Sequence, residues 1–165
     1  MTQEPKQFTF IDLFAGIGGF HLAFHNAGAK CVFTSEWDEF AQKTYKANFE
    51  KIEPDLFSTG NFVGDITQVD KSLIPDFDVL CAGFPCQPFS NSGLKLGLSD
   101  PRGQFYFRIE EIIKKYSAKS FILENVPGIK TNGGGSFPSK LAFQPQMIGQ
   151  TMKYLEQNLM KLKDY

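Results

Sequence analysis

Thr9-Phe-Ile-Asp-Leu-Phe-Ala-Gly-Ile-Gly-Gly19 is the stretch on which the fold of this chain turns. Residues 9–14 are apolar apart from Thr9 and Asp12 and read as a buried strand. Ala15 to Gly19 form a glycine turn, and Phe20 to Ala27 a short helix closed by Gly28. A strand that feeds a helix through a tight turn is the opening unit of a parallel α/β sheet. The turn also lets backbone approach a ligand closely at a helix N-terminus. Its spacing is not the dinucleotide G-x-G-x-x-G, since the third glycine directly follows the second. A tight turn with no ligand would use the same residues.

The same unit recurs outward along the chain. Lys30 to Ser35 reads as a second strand ending in Glu36-Trp37-Asp38, and Asp38 caps a helix with an apolar face at Phe40, Ala41, Tyr45 and Phe49. A loop over about Glu53 to Gly60 leads to a brief strand near Phe62-Val63 and then Gly64-Asp65-Ile66-Thr67. The apolar run Phe77 to Ala82 is a central buried strand that enters Gly83-Phe-Pro-Cys-Gln-Pro-Phe-Ser90, and a polar stretch continues to about Gly103. A helix over about Gln104 to Tyr116 packs through Phe107, Ile109, Ile112 and Ile113, and the strand Ser120 to Leu123 ends in Glu124-Asn125-Val126. Asn132-Gly-Gly-Gly-Ser136 reads as flexible, and a closing helix runs from about Gln146 to Leu162. Strands alternating with helices imply a parallel sheet with right-handed crossovers, whose ligands sit beyond the carboxyl ends of the strands. Every unusual segment lies at such an end.

A chain of 165 residues suffices for one domain with a real core, and it shows no internal repeat and no second domain. It is 42% hydrophobic with 18 Phe, yet no apolar run approaches membrane-spanning length, and Met-Thr-Gln-Glu-Pro-Lys contains no apolar signal segment. Cys31, Cys81 and Cys86 cannot all pair, which points to a reduced cytoplasmic compartment. The net charge of −1 argues against a polyanion partner, but its distribution does not. Residues 1–80 carry six Lys against twelve Asp and Glu, formally −6, and residues 81–165 are formally +5. The basic half is the one that holds Cys86, as expected if it faces a polyanion.

Cys86 stands on a turn with Pro85 before it and Pro88 two residues after, so it belongs to neither helix nor strand interior. A thiol presented there reads as a nucleophile, which must react as the thiolate. Glu124, on a neighbouring strand about 5 Å away, would supply an acid, and a carboxyl enclosed at that position would be raised toward neutral pH. Glu36 is placed to accept both hydroxyls of a ribose. Trp37 is placed to stack on an adenine or to serve as core. Asp65 is placed to accept an adenine amino group or to cap its own turn, with Ile66 against the ring face. His21 and His25 have the i, i+4 spacing of metal ligands, but no cysteine or carboxylate completes a set nearby, so no metal is expected. Cys31 and Cys81 read as core.

Together these residues resemble the cytosine-5 DNA methyltransferases. Phe14-Ala15-Gly16-Ile17-Gly18-Gly19 looks like the family's cofactor motif, Gly83 to Ser90 its nucleophile loop and Glu124-Asn125-Val126 its acid motif. The resemblance implies a Rossmann-like S-adenosylmethionine-dependent α/β fold, of which strands one to five are present. It implies a cofactor pocket lined by Phe14, Glu36, Trp37, Asp65, Ile66, Pro85 and Phe105. It further implies Cys86 as nucleophile toward a flipped cytosine, Glu124 as its acid, and Asn125 as the residue positioning loop and base. Gln87, Ser90, Ser92, Lys95 and Arg102 fall in the loop that closes on duplex DNA, with Lys95 and Arg102 as phosphate contacts. The family's Gln-x-Arg-x-Arg strand, target-recognition region and terminal helix do not occur up to Tyr165, so a complementing polypeptide is expected to carry them. The family's tRNA-methylating branch, or a non-catalytic module that binds cofactor or partner, are the alternatives.

Overall fold

The computed structural model describes residues 7–85, 104–118 and 120–125. Over these the chain runs β1 (Thr9–Leu13), α1 (Gly19–Asn26), β2 (Lys30–Ser35), α2 (Glu39–Phe49), α3 (Pro54–Ser58), β3 (Phe62–Val63), two single turns of 3-10 helix (Ile66–Gln68 and Lys71–Leu73), β4 (Val79–Gly83), α4 (Gln104–Tyr116) and β5 (Ser120–Glu124). All strands pair in parallel in the order β3-β2-β1-β4-β5. The chain steps from β1 to β2 and β3 on one side, then crosses to β4 and β5 on the other. Such a reversal opens a crevice at the carboxyl ends of the strands.

Alternation along the strands builds a core on each face of the sheet. Ile11, Leu13, Phe33, Leu80 and Ala82 pack with Phe105, Ile109, Ile112 and Ile113 of α4. Phe10, Cys31, Val79 and Cys81 pack with Phe24 of α1 and with Tyr45 and Phe49 of α2. Helices on opposite faces are what right-handed crossovers running in opposite directions produce. Asp38 caps α2 as its sequence implies, accepting from the Ala41 amide at 2.8 Å.

Three details depart from the sequence reading. Residues 54–58 form helix α3 rather than a loop, because Pro54 occupies its first turn and Leu56 is buried. Phe40 lies off the apolar face of α2 and is 77% exposed. Phe107 likewise turns outward on α4, and Phe105 and Tyr106 take its place in the core. The closing helix expected from about Gln146, and the glycine-rich segment before it, lie outside the described residues. Among the described residues no helix is long and apolar enough to cross a membrane.

Asp12 is the unexpected member of the core. It shares a face of β1 with Phe10 and is fully buried, with no hydrogen bond of good geometry to either carboxyl oxygen. Burial pushes its pKa up to about 8. The nearby His21 amide pulls it down only in part, and the charge of Glu36 raises it further. A carboxyl raised from its ordinary 3.8 keeps its proton in the folded state while the unfolded chain has released it. This contribution to stability is therefore whole below about pH 4, falls as pH rises, and levels off above about 8. Asp12→Asn should flatten that fall: thermal midpoints of wild type and variant should diverge between pH 5 and pH 8, with wild type losing more. Parallel pH profiles would refute the assignment.

Candidate active site

The glycine turn leaves β1 in unusual backbone geometry, with positive φ at Phe14 (57°), Gly16 (57°) and Gly18 (96°). Phe14, a bulky residue in the left-handed region, is strained, and its neighbours hold it there. The Ala15 amide donates to the Ser35 carbonyl at 3.0 Å, and the Phe14 ring packs 5.2 Å from that of Phe105. Gly18 is required for space. A Cβ there would lie 2.1 Å from the Phe49 ring, which itself stacks on His21.

Glu36, at the end of β2, is buried and uses both carboxylate oxygens on backbone: one accepts from Gly16 at 2.7 Å, the other from Asp38 at 2.8 Å. A carboxylate has about four acceptor positions, so each oxygen can still take a ligand hydroxyl. Beside it Phe14, Ser35, Trp37, Gly64, Asp65, Ile66 and Phe105 complete a narrow, mostly apolar cleft. Trp37 is not core, being 57% exposed and set edge-on to Phe105 at 5.7 Å. Asp65 caps the first 3-10 turn, its Oδ1 accepting from the amide and hydroxyl of Thr67, both at 2.8 Å. Ile66 is buried and forms part of the cleft wall.

Of the pocket residues implied by the sequence, Phe14, Glu36, Trp37, Asp65, Ile66 and Phe105 thus meet around one cleft. Ser35 and Gly64 join them, though nothing in the sequence singled out Ser35. The Ser35 hydroxyl is buried without a hydrogen-bond partner. Ala15 instead packs in the core beneath α1, and Ile17 is 62% exposed, its carbonyl held by Asn48 at 3.3 Å. Gly16 serves through its amide, Gly19 begins α1, and Pro85 follows the buried Phe84 at the end of β4.

The second half of the site lies across the sheet. The register of β4 with β5 sets Gly83 opposite Glu124. The Glu124 carboxylate lies over Gly83, its Oε2 3.6 Å from where a Cβ would stand. Asn125 donates from Nδ2 to the Phe84 carbonyl at 2.9 Å and so ties the end of β5 to the segment that follows β4. Glu124 is exposed, and the enclosure expected for it is not formed among the described residues. Cys86, Gln87, Ser90, Ser92, Lys95 and Arg102 lie outside the described residues. Cys31 and Cys81 are buried, and burial raises both thiols far above their ordinary range, which leaves almost no thiolate at neutral pH. The His21 and His25 rings lie 6.4 Å apart. Nδ1 of His21 is 2.5 Å from the Tyr45 hydroxyl, and burial lowers its pKa to about 4.

A parallel sheet of this order, with an acidic residue after β2 beside a glycine turn after β1, defines a Rossmann-like fold of the methyltransferase type. Solved structures agree on the fold: a crystal structure of the S. pombe Dnmt2 methyltransferase superposes on 82% of this chain with a TM-score of 0.58 at 21% identity, using 39% of that chain. Residues 8–144 match the C-5 cytosine-specific DNA methylase family, and the chain belongs to it. It is 52% identical over 132 residues to the type II methyltransferase M.HpaII of Haemophilus parainfluenzae, covering 79% of this chain and 34% of that enzyme. It is 47% identical over 137 residues to M.HhaI of Haemophilus parahaemolyticus, covering 81% and 39%. The chain therefore spans between a third and two fifths of the length of these relatives.

Proposed function

We propose that this chain is the cofactor-binding and nucleophile-bearing part of a DNA cytosine-5 methyltransferase of the restriction-modification type. It would act on duplex DNA in the cytoplasm together with a polypeptide that supplies the base-binding arginines and the target-recognition region. The observation that carries the reading is the pairing of Gly83 with Glu124. It places a carboxylate opposite Gly83, three residues before Cys86 in the sequence, at the same carboxyl end of the sheet as the cleft around Glu36.

The cleft residues fit S-adenosylmethionine. Phe14, Ile66, Phe105 and Trp37 offer apolar faces to an adenine, and Glu36 keeps free acceptor positions for the ribose hydroxyls. When bound, the cofactor supplies a methyl group made electrophilic by a sulfonium. Cys86, as thiolate, adds to ring carbon 6 of a cytosine flipped from the duplex. Glu124 donates a proton or hydrogen bond to ring nitrogen 3, and electron density moves to carbon 5, which takes the methyl. Water takes the carbon-5 proton as the thiolate is expelled, ring nitrogen 3 returns its proton to Glu124, and the aromatic ring is restored. Asn125 keeps the loop entrance in place through the Phe84 carbonyl, while Gln87, Ser90, Ser92, Lys95 and Arg102 engage the DNA.

A 5-fluorocytosine duplex tests this, because fluorine at carbon 5 blocks the final elimination. With S-adenosylmethionine and a complementing polypeptide present, the chain should form an adduct that survives denaturation and maps to Cys86, and Cys86→Ser should form none. Absence of an adduct in the wild type, or an adduct that persists in Cys86→Ser, would reject the mechanism.

A further inference from the structure

Helix α4 serves both walls of the cleft. Phe105 forms one wall, and Arg108, one turn further on, reaches the segment that forms the other. The Arg108 side chain is only 14% exposed. Its Nε donates to the Ile66 carbonyl at 3.0 Å and its Nη2 to the Val69 carbonyl, while Nη1 lies 3.4 Å from the Glu111 carboxylate. Glu111 also pairs with Lys71 at 2.7 Å. Ile66 is packed in the core, but the backbone of the bracketed segment has few bonds of its own: a single 3-10 turn with bonds of 3.1 Å (Gln68 to Asp65) and 3.4 Å (Val69 to Ile66). One such turn is not stable in isolation. Asp65 secures its front through Thr67, and Arg108 secures its back.

We infer that Arg108 is a positioning residue for the cofactor cleft. By clamping the Ile66 and Val69 carbonyls to α4 it fixes the distance between Ile66 and Phe105, and so sets the affinity for the adenine end of S-adenosylmethionine. The inference rests on the cofactor reading above. Lysine cannot replace the fork, because one ammonium does not span two carbonyls in the planar geometry of a guanidinium.

The test compares R108M, which keeps much of the apolar stem, with R108K and with Tyr116→Phe in the 165-residue chain. The Tyr116 hydroxyl reaches the Lys71 and Ile74 carbonyls, so that variant loosens the neighbouring turn but not the cleft wall. Amide exchange over residues 64–70 should quicken in R108M while β1, β2 and β4 keep their protection. Loss of two hydrogen bonds from a charged donor should weaken S-adenosylmethionine binding roughly tenfold by calorimetry. R108K should recover part of that loss, and Y116F should stay within about twofold of wild type because its bonds are to another turn.

Unchanged exchange, unchanged affinity in R108M, or an equal loss in Y116F each overturns the inference. If R108M loses protection throughout the sheet, R108K decides, and wild-type exchange there overturns it. A wild-type chain that binds no S-adenosylmethionine overturns the cofactor reading and the affinity claim with it. Exchange still decides in that case whether Arg108 holds the wall.

Discussion

Gly18→Ala should cost the domain about 4 kcal/mol and lower its unfolding midpoint by roughly 10 °C or more. Two effects combine. The left-handed backbone at Gly18, φ 96°, costs a Cβ-bearing residue about 1–2 kcal/mol. The larger effect is steric: the new methyl would stand 2.1 Å from the Phe49 ring. That ring cannot swing clear, because it stacks on His21 at 3.9 Å and tilts against Tyr45 at 4.8 Å. Forcing such a cluster apart costs about 1–3 kcal/mol. Gly16→Ala separates the contributions. It shares the positive φ but has nothing within 4 Å of the added methyl, so it should lose only the backbone part, about 1–2 kcal/mol. Urea titrations of both variants measure the difference. Equal losses would show that Phe49 yields and that packing is not what fixes glycine at 18.

Glu124→Gln should lower methyl transfer by about 10²–10⁴-fold when the complementing part is supplied, the range expected for removal of a general acid. The amide keeps the size of the side chain and a donor, but it cannot release and recover a proton through the cycle. Glu124 lies across β4 and β1 from the Glu36 cleft, so S-adenosylmethionine affinity should remain within about twofold. Transfer within tenfold of wild type, or a matching loss of cofactor affinity, would remove Glu124 from the chemistry.

Much of this architecture can be read directly from the chain, because strand and helix periods announce themselves in runs such as Lys30 to Ser35 and Gln104 to Tyr116. The family resemblance added the pairing of cofactor turn and nucleophile loop. The misreadings have physical causes. Residues 54–58 look like loop because proline and serine punctuate them, yet proline at a first helical turn is a start signal. Helical spacing marks a stripe but not its edge, so it places Phe40 and Phe107 on faces that the packing leaves in solvent. Asp65 had two readings of equal local plausibility, and the structure satisfies the cap while keeping the residue at the cleft. Asp12 does carry a signal, a lone carboxylate inside an apolar strand. Arg108 carried none, since its partners are carbonyls about forty positions away.

The two bonds made by Glu36 have a consequence for binding entropy. One carboxylate fastens the turn after β1 to the loop after β2, at Gly16 and at Asp38. Neither loop can then wander independently, and the conformational freedom of the rim is surrendered when the chain folds. An incoming adenosyl group meets a preorganised rim and has little left to order, so more of its contact energy is available as affinity.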